Sequence, residues 1–125
     1  MKSYTDIEQS RELEKILPLE SADLYYYKYG LPHFIEGQGD YESIRTDKYH
    51  DYIPCWSLAA LLNILHFRQD DIPSLSGGGY KDGNYTPDWC LDYEYDNGDY
   101  QKTFADNPVD VCVAMIERLH KINLI

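Results

Sequence analysis

The chain has 125 residues, 43% of them apolar and 26% charged, a balance that sets aside disordered and collagen-like classes and suffices for one hydrophobic core without disulfides or a structural metal. Its net charge of -11 argues against a surface that grips nucleic-acid phosphates, which needs clustered Lys and Arg. Cys55, Cys90 and Cys112 are widely spaced with no C-x-x-C pair, which fits a reducing cytoplasm, and no apolar run reaches signal-peptide or membrane-spanning length, so neither export nor membrane insertion is expected.

In chain order, "TDIE" at Thr5 to Glu8 has the form of a capping box and predicts a helix carrying the stripe Ile7, Leu13, Ile16 and Leu17 and stopped by Pro18. "DLYYYKYG" reads as a strand with Tyr25, Tyr27 and Tyr29 on one face and Leu24 and Tyr26 on the other. "HFIEG" supplies its returning partner, and the polar stretch from Gln38 to Asp51 is read as irregular. "IPCWSLAALLNIL", Ile53 to Leu65, is apolar on all sides and predicts a central buried helix, with Pro54 at its first position and Cys55 and Trp56 in its first turn.

The Gly-rich passage around "SGGGYKDG" is read as a flexible loop in which Asp82-Gly83 turns between very short edge strands. "CLDYEYDNGDYQKTFAD" is a hairpin signal. A two-residue turn at Asn97-Gly98 sets Asp96 opposite Asp99, Tyr95 opposite Tyr100, Tyr93 opposite Lys102 and Leu91 opposite Phe104. Asn107 then caps a final helix with Pro108 at its first position, and Val109, Cys112, Val113, Ile116 and Leu119 recur as a buried stripe. The sum is a single α+β domain over residues 1–125, with about three helices packed on one face of a small antiparallel sheet.

Cys55 is the one residue whose context invites a catalytic reading. A thiol at a helix N-terminus can be acidified by the amides there, and Cys55-Trp56 resembles the opening of the catalytic helix in papain-like proteases. The resemblance is confined to those two residues. The histidines that follow, His66 and His120, fall on helices rather than on a strand that would deliver a base, and core packing is the expected role. His33, His50, His66 and His120 have no metal-ligand spacing, and "DYEYDNGDY" mismatches a calcium loop at Gly98 and Thr103. No metal and no cofactor is expected.

Tyrosine is the compositional anomaly, at 13 residues against three Phe and two Trp. Its apolar body and polar tip suit half-buried strands and interfaces alike. From Asp82 to Asp110 eight carboxylates stand against the single Lys102. These features direct attention to an interaction surface containing Tyr25, Tyr27, Tyr29, Asp92 and Glu94, on a non-enzymatic module that meets another protein or its own copy. Two alternatives are an acidic imitation of nucleic acid that blocks a DNA-binding protein, and a small cysteine hydrolase using Cys55.

The opening "YTDIEQSRELEKILPLESAD", the central "IPCWSLAALLNIL" and the closing "ADNPVDVCVAMIERLHKINLI" resemble a recurring group of small uncharacterised bacterial proteins met among mobile-element and phage-derived genes. That resemblance implies a cytoplasmic bacterial or phage-derived protein and assigns no functional residue.

Overall fold

The structure is a computed structural model that describes residues 2–66, 72–95 and 98–125. It is α+β, and the described residues divide into two compact units, one of Ser3–Ala60 and one of Lys2 with the described residues of Leu61–Ile125. Each unit holds its own three-stranded antiparallel sheet, and among the described residues there are four α-helices. The expected single sheet with three helices is therefore two sheets. The aromatic strand near residue 25 pairs with its sequence neighbours, and the long hairpins after residue 72 pair with one another.

In the Ser3–Ala60 unit, α1 (Ile7–Glu14) leads through a short 3-10 turn (Leu19–Ser21) to β1 (Leu24–Tyr27), β2 (His33–Phe34), α2 (Gln38–Arg45) and β3 (Tyr52–Cys55), and the sheet order is β2-β1-β3. The α1 cap sits one residue later than expected. Asp6 accepts from the amide of Gln9 at 2.8 Å and Gln9 Oε1 accepts from the amide of Asp6 at 3.1 Å. Thr5 instead turns inward and is fully buried, its hydroxyl 2.8 Å from that of Ser10 and accepting from the amide of Trp56 at 3.2 Å. The Tyr26 hydroxyl donates to the Thr5 carbonyl at 2.8 Å. Each of these polar groups lies in the interior and is satisfied there, which is the condition for burying it without a large desolvation cost.

The alternation read for β1 holds over its four residues, with Leu24 and Tyr26 buried beside Ile53 and Cys55 of β3, and Tyr4 and Ile7 packed against them. Two other expectations are corrected. The stretch from Gln38 forms α2 rather than irregular chain, anchored where the Tyr41 hydroxyl donates to the carbonyl of Ala22 at 3.1 Å. Pro54 does not open a helix, because residues 52 to 55 pair along β1, with Tyr25 opposite Pro54 and Leu24 opposite Cys55. On β3, at the sheet edge, the amide that proline lacks is not required by a neighbouring strand.

The helix that follows is α3 (Leu58–Leu65). Its start is set by Ser57, whose hydroxyl accepts from the amide of Ala60 at 3.2 Å and whose own amide donates to Asp23 Oδ1 at 2.9 Å. Asp23, one residue before β1, thus ties the strand to the helix entry.

In the second unit, β4 (Ile72–Lys81), β5 (Asn84–Tyr95) and β6 (Asp99–Ala105) form a sheet of order β4-β5-β6, with α4 (Pro108–Lys121) packed on β5 and β6. The Gly-rich passage is strand, not loop, and the strands joined at Asp82-Gly83 are long rather than very short. The turn itself has the expected chemistry: φ is 52° at Asp82 and 82° at Gly83, both left-handed, with Lys81 paired to Asn84. The glycines lie where the ladder is broken. Pro87 and Asp88 stand against Gly78 alone, and Gly78 has φ 113°. At a bulge an absent side chain and an absent amide do no harm to the ladder, so residues of poor strand propensity are accommodated there.

The β5-β6 register is one residue away from the expected one, with Tyr95 opposite Asp99, Tyr93 opposite Gln101, Asp92 opposite Lys102 and Leu91 opposite Thr103. Tyr95 and Asp99 close the described ladder, and Gly98, just before Asp99, has φ 80°, a left-handed conformation that glycine adopts without steric cost. Of the Asn97-Gly98 pair to which the two-residue turn is assigned, Asn97 lies outside the described residues, as does Asp96. The shift brings Thr103 rather than Phe104 beside Leu91, and Thr103 is buried with its hydroxyl donating to the carbonyl of Val111 at 3.0 Å. The α4 reading stands as made: Asn107 caps it by accepting from the amide of Asp110, and the five residues of its stripe are buried.

Candidate interaction surface

The sheet face of the first unit opposite its buried side carries a row of rings. Tyr27 and Tyr52 are opposite one another on β1 and β3, with ring centroids 4.8 Å apart. Tyr52 lies 5.7 Å from Tyr25, and Tyr25 stacks on His33 of β2 at 5.4 Å. One row thus crosses all three strands. It arises because strand residues two apart share a face, and cross-strand partners on that face come within ring contact.

Charged groups flank the row at Tyr27 and at Tyr25. Lys28 Nζ sits 5.3 Å from the centroid of the Tyr27 ring, a cation–π distance. Around Tyr25 the phenol pKa is raised, first by partial burial and then by the carboxylate of Asp40, by Tyr52 and by the carboxylate of Glu36. At the Tyr27 end the backbone is unusual. Lys28, Tyr29 and Gly30 have φ of 53°, 73° and 88°, three consecutive left-handed residues of which only the last is glycine. Non-glycine residues there are uncommon, and such strain is concentrated at functional segments. The turn leaves Tyr29 67% exposed.

Nearby, Asp47 holds the approach to β3 by accepting from the amides of Tyr52 at 2.8 Å and Tyr49 at 3.1 Å. Those bonds, the one to Tyr52 foremost, lower its pKa, because they favour the carboxylate.

The residues selected from sequence are distributed unequally. Tyr25 and Tyr27 belong to the row, whereas Tyr29 follows the strand in the left-handed turn. Asp92 and Glu94 lie on β5 of the other unit, so they are not part of the sheet that carries the tyrosines. There Asp92 Oδ1 is 3.5 Å from Lys102 Nζ, and Glu94 pairs with Tyr100. Lys102 and the rings therefore interrupt the carboxylates along that hairpin. Lys28 and Tyr52 are not among the residues selected from sequence, and His33 is weighed there only as a metal ligand. Tyr52 shares the strand "YIPC" with the buried Ile53, Pro54 and Cys55 and is itself only half-buried, but Pro54 draws those residues into an expected helix.

Cys55 occupies the end of β3, three residues before α3, and not the first turn of a helix. The helix-terminal amides that would acidify it are therefore not at its position. Its side chain is fully buried, 3.4 Å from the Thr5 carbonyl and 3.6 Å from the Thr5 hydroxyl, and burial raises its pKa against the lowering effect of the Thr5, Ser10 and Tyr26 hydroxyls. Burial raises Cys90 as well, and pushes Cys112 up to about 12. All three thiols are unbridged. A thiol reagent at neutral pH is expected to leave the native protein unlabelled and to modify three thiols after denaturation. Labelling of Cys55 in the native state, located by peptide mass, would contradict the burial.

Among the described residues no group of three or more His, Cys, Asp or Glu side chains is placed to hold a metal, and no helix is long and apolar enough to cross a membrane. Comparison with protein-family models, with curated proteins and with solved structures returns no match.

Proposed function

We propose that this protein is a non-enzymatic interaction module, and that the ring row of its first sheet receives a segment of a protein partner bearing Arg or Lys. The observation that carries the reading is the unbroken contact of His33, Tyr25, Tyr52 and Tyr27 on the face opposite the buried side, with Asp40 and Glu36 bearing on Tyr25. Aromatic faces attract cations through the ring quadrupole, and carboxylates at the rim supply the steering charge. The chain's net charge of -11 adds long-range attraction toward a basic partner. Three unbridged, buried thiols support placing the protein in a reducing compartment, the cytoplasm. The bacterial, mobile-element origin belongs to the same proposal and rests on the segment resemblance alone.

The test is selection of a random peptide library on the intact chain, repeated with a Tyr25→Ala, Tyr52→Ala double variant. Peptides enriched in Arg or Lys that bind the variant at least roughly tenfold more weakly are expected, the scale of removing aromatic anchors from an interface. Peptides with no cationic preference, or with equal affinity for the variant, would sink the reading. A dimer in light scattering that the same two substitutions abolish would reassign the face to a second copy of the chain.

A further inference from the structure

We propose a second binding site, in the Leu61–Ile125 unit, for a ring-bearing phosphate monoester of small-molecule size. It is independent of the aromatic row described above. The bulge at Gly78 bends the β4-β5 hairpin so that Gly79 comes up against Cys90 and Phe104. A methyl group added at Gly79 would stand 3.2 Å from Cys90 Cβ, 3.3 Å from its sulfur and 3.7 Å from the Phe104 ring. The hairpin tip thereby forms one wall of a cleft of about 530 Å³ whose other walls are β6 and the Arg118 turn of α4. That volume is within the range of small-molecule sites.

Its lining contradicts the chain's overall charge. Lys81, Lys102 and Arg118 line it with one carboxylate, Asp82, whereas the described part of this unit has five Lys and Arg against eight Asp and Glu. Three of its five cations thus converge on one cavity. Arg118 is held there by donating through Nη1 to the carbonyl of Lys102 at 2.6 Å, which fixes the guanidinium against the outer edge of β6. Lys81 Nζ lies 5.9 Å from the centroid of the Phe104 ring. Cations lining one concave surface focus potential on an anion, and an arginine with its orientation already set recognises phosphate oxygens at reduced entropic cost.

Beside Thr103 and Ala114, the rest of the cleft is aromatic. Tyr80 on the hairpin and Tyr100 on β6 are each 64% exposed, and Phe104 lies beneath Lys81. Exposed rings on two walls of a cationic cavity suit a ligand that joins a planar ring to a phosphate, since ring stacking adds to charge pairing without competing for the same atoms. Lys102 is shared with Asp92 at 3.5 Å, so Lys81 and Arg118 are the cations offered to a phosphate monoester, dianionic near neutrality.

The experiment is a titration of isotope-labelled full-length protein with adenosine 5′-monophosphate and with phenyl phosphate, followed by backbone amide shifts, with adenosine and inorganic phosphate as the half-ligands. Saturable shifts confined to the hairpin tip, β6 and the end of α4 are expected, with each half-ligand roughly tenfold weaker or worse. Lys81→Ala and Tyr100→Ala are each expected to weaken binding by roughly tenfold, while Lys15→Ala, in the other unit, leaves it unchanged. Lys81 and Tyr100 are exposed, so their replacement does not disturb the fold. No saturable shift with either phosphate ester, equal binding of inorganic phosphate alone, or a Lys81→Ala protein that binds like the parent would overturn the site.

Discussion

Replacing Trp56 with alanine is expected to cost the Ser3–Ala60 unit about 3–5 kcal/mol, the usual penalty for emptying a large aromatic site in a core. The residue is fully buried, its indole N–H donates to the Ser21 hydroxyl at 2.9 Å, and its backbone exchanges hydrogen bonds with Thr5, whose amide donates to the Trp56 carbonyl at 3.0 Å. The side chain therefore joins the 3-10 turn to the end of β3, while its backbone fixes the segment that enters α1. Trp56→Phe separates the two contributions. It keeps most of the ring volume and removes only the donor, and because Ser21 still donates to the Pro18 carbonyl at 2.6 Å the loss should fall to about 1–2 kcal/mol. Urea unfolding followed by far-ultraviolet circular dichroism measures both. The second tryptophan, Trp89, lies in the other unit and reports on that unit separately by fluorescence. A loss under about 1 kcal/mol for the alanine variant would mean that the indole site refills, contrary to the closed packing described.

How far such contacts could be read from the chain depended on whether a local rule met competition from another part of the fold. The α4 stripe was legible because Asn107, Pro108 and five apolar residues at helical spacing all favour one element. The alternation in β1 was legible for the same reason. Pro54 misled because it suits both a first helical turn and an edge strand, and only the pairing with Tyr25, twenty-nine positions earlier, decides between them. Gly77 to Gly79 misled because their low strand propensity is a property of regular ladder, whereas the bulge opposite Pro87 and Asp88 needs residues of that kind. The hairpin register moved by one residue because Thr103 finds a buried acceptor in the Val111 carbonyl, a contact that depends on where α4 lies and not on the turn.

The candidate surface was legible in part for a related reason. Sequence selects residue types within one strand, which yields Tyr25 and Tyr27. The ring row also needs Tyr52 and His33, which join it only through pairings with β3 and β2. Asp92 and Glu94 were grouped with the tyrosines on the assumption of a single sheet, and the division of the strands into two sheets is what separates them.

Above pH 9 the protein is expected to lose stability progressively, and Cys112 should account for the largest single share that can be isolated. Burial holds its thiol neutral, pushing the pKa from an ordinary 9.0 up to about 12. The contribution is complete below pH 9, where both the folded and the unfolded chain keep the proton. Between pH 9 and 12 the unfolded chain releases a proton that the folded chain retains, so unfolding is favoured by about 1.4 kcal/mol per pH unit, reaching roughly 4 kcal/mol near pH 12. Cys55 and Cys90 act in the same direction, as does Tyr26 from about pH 10 upward, since burial raises each of them. Cys112→Ala distinguishes this titration from general alkaline damage. The variant should lose roughly 1–2 kcal/mol at pH 7 through poorer packing, yet its stability should fall less steeply than the parent's between pH 9 and 11, by about 1.4 kcal/mol per pH unit. Urea unfolding under reducing conditions at a series of pH values gives both slopes. Parallel curves for variant and parent would show that the Cys112 thiol ionises as readily in the folded protein as in the unfolded chain, and that its surroundings admit water or charge that the packed α4 interior does not contain.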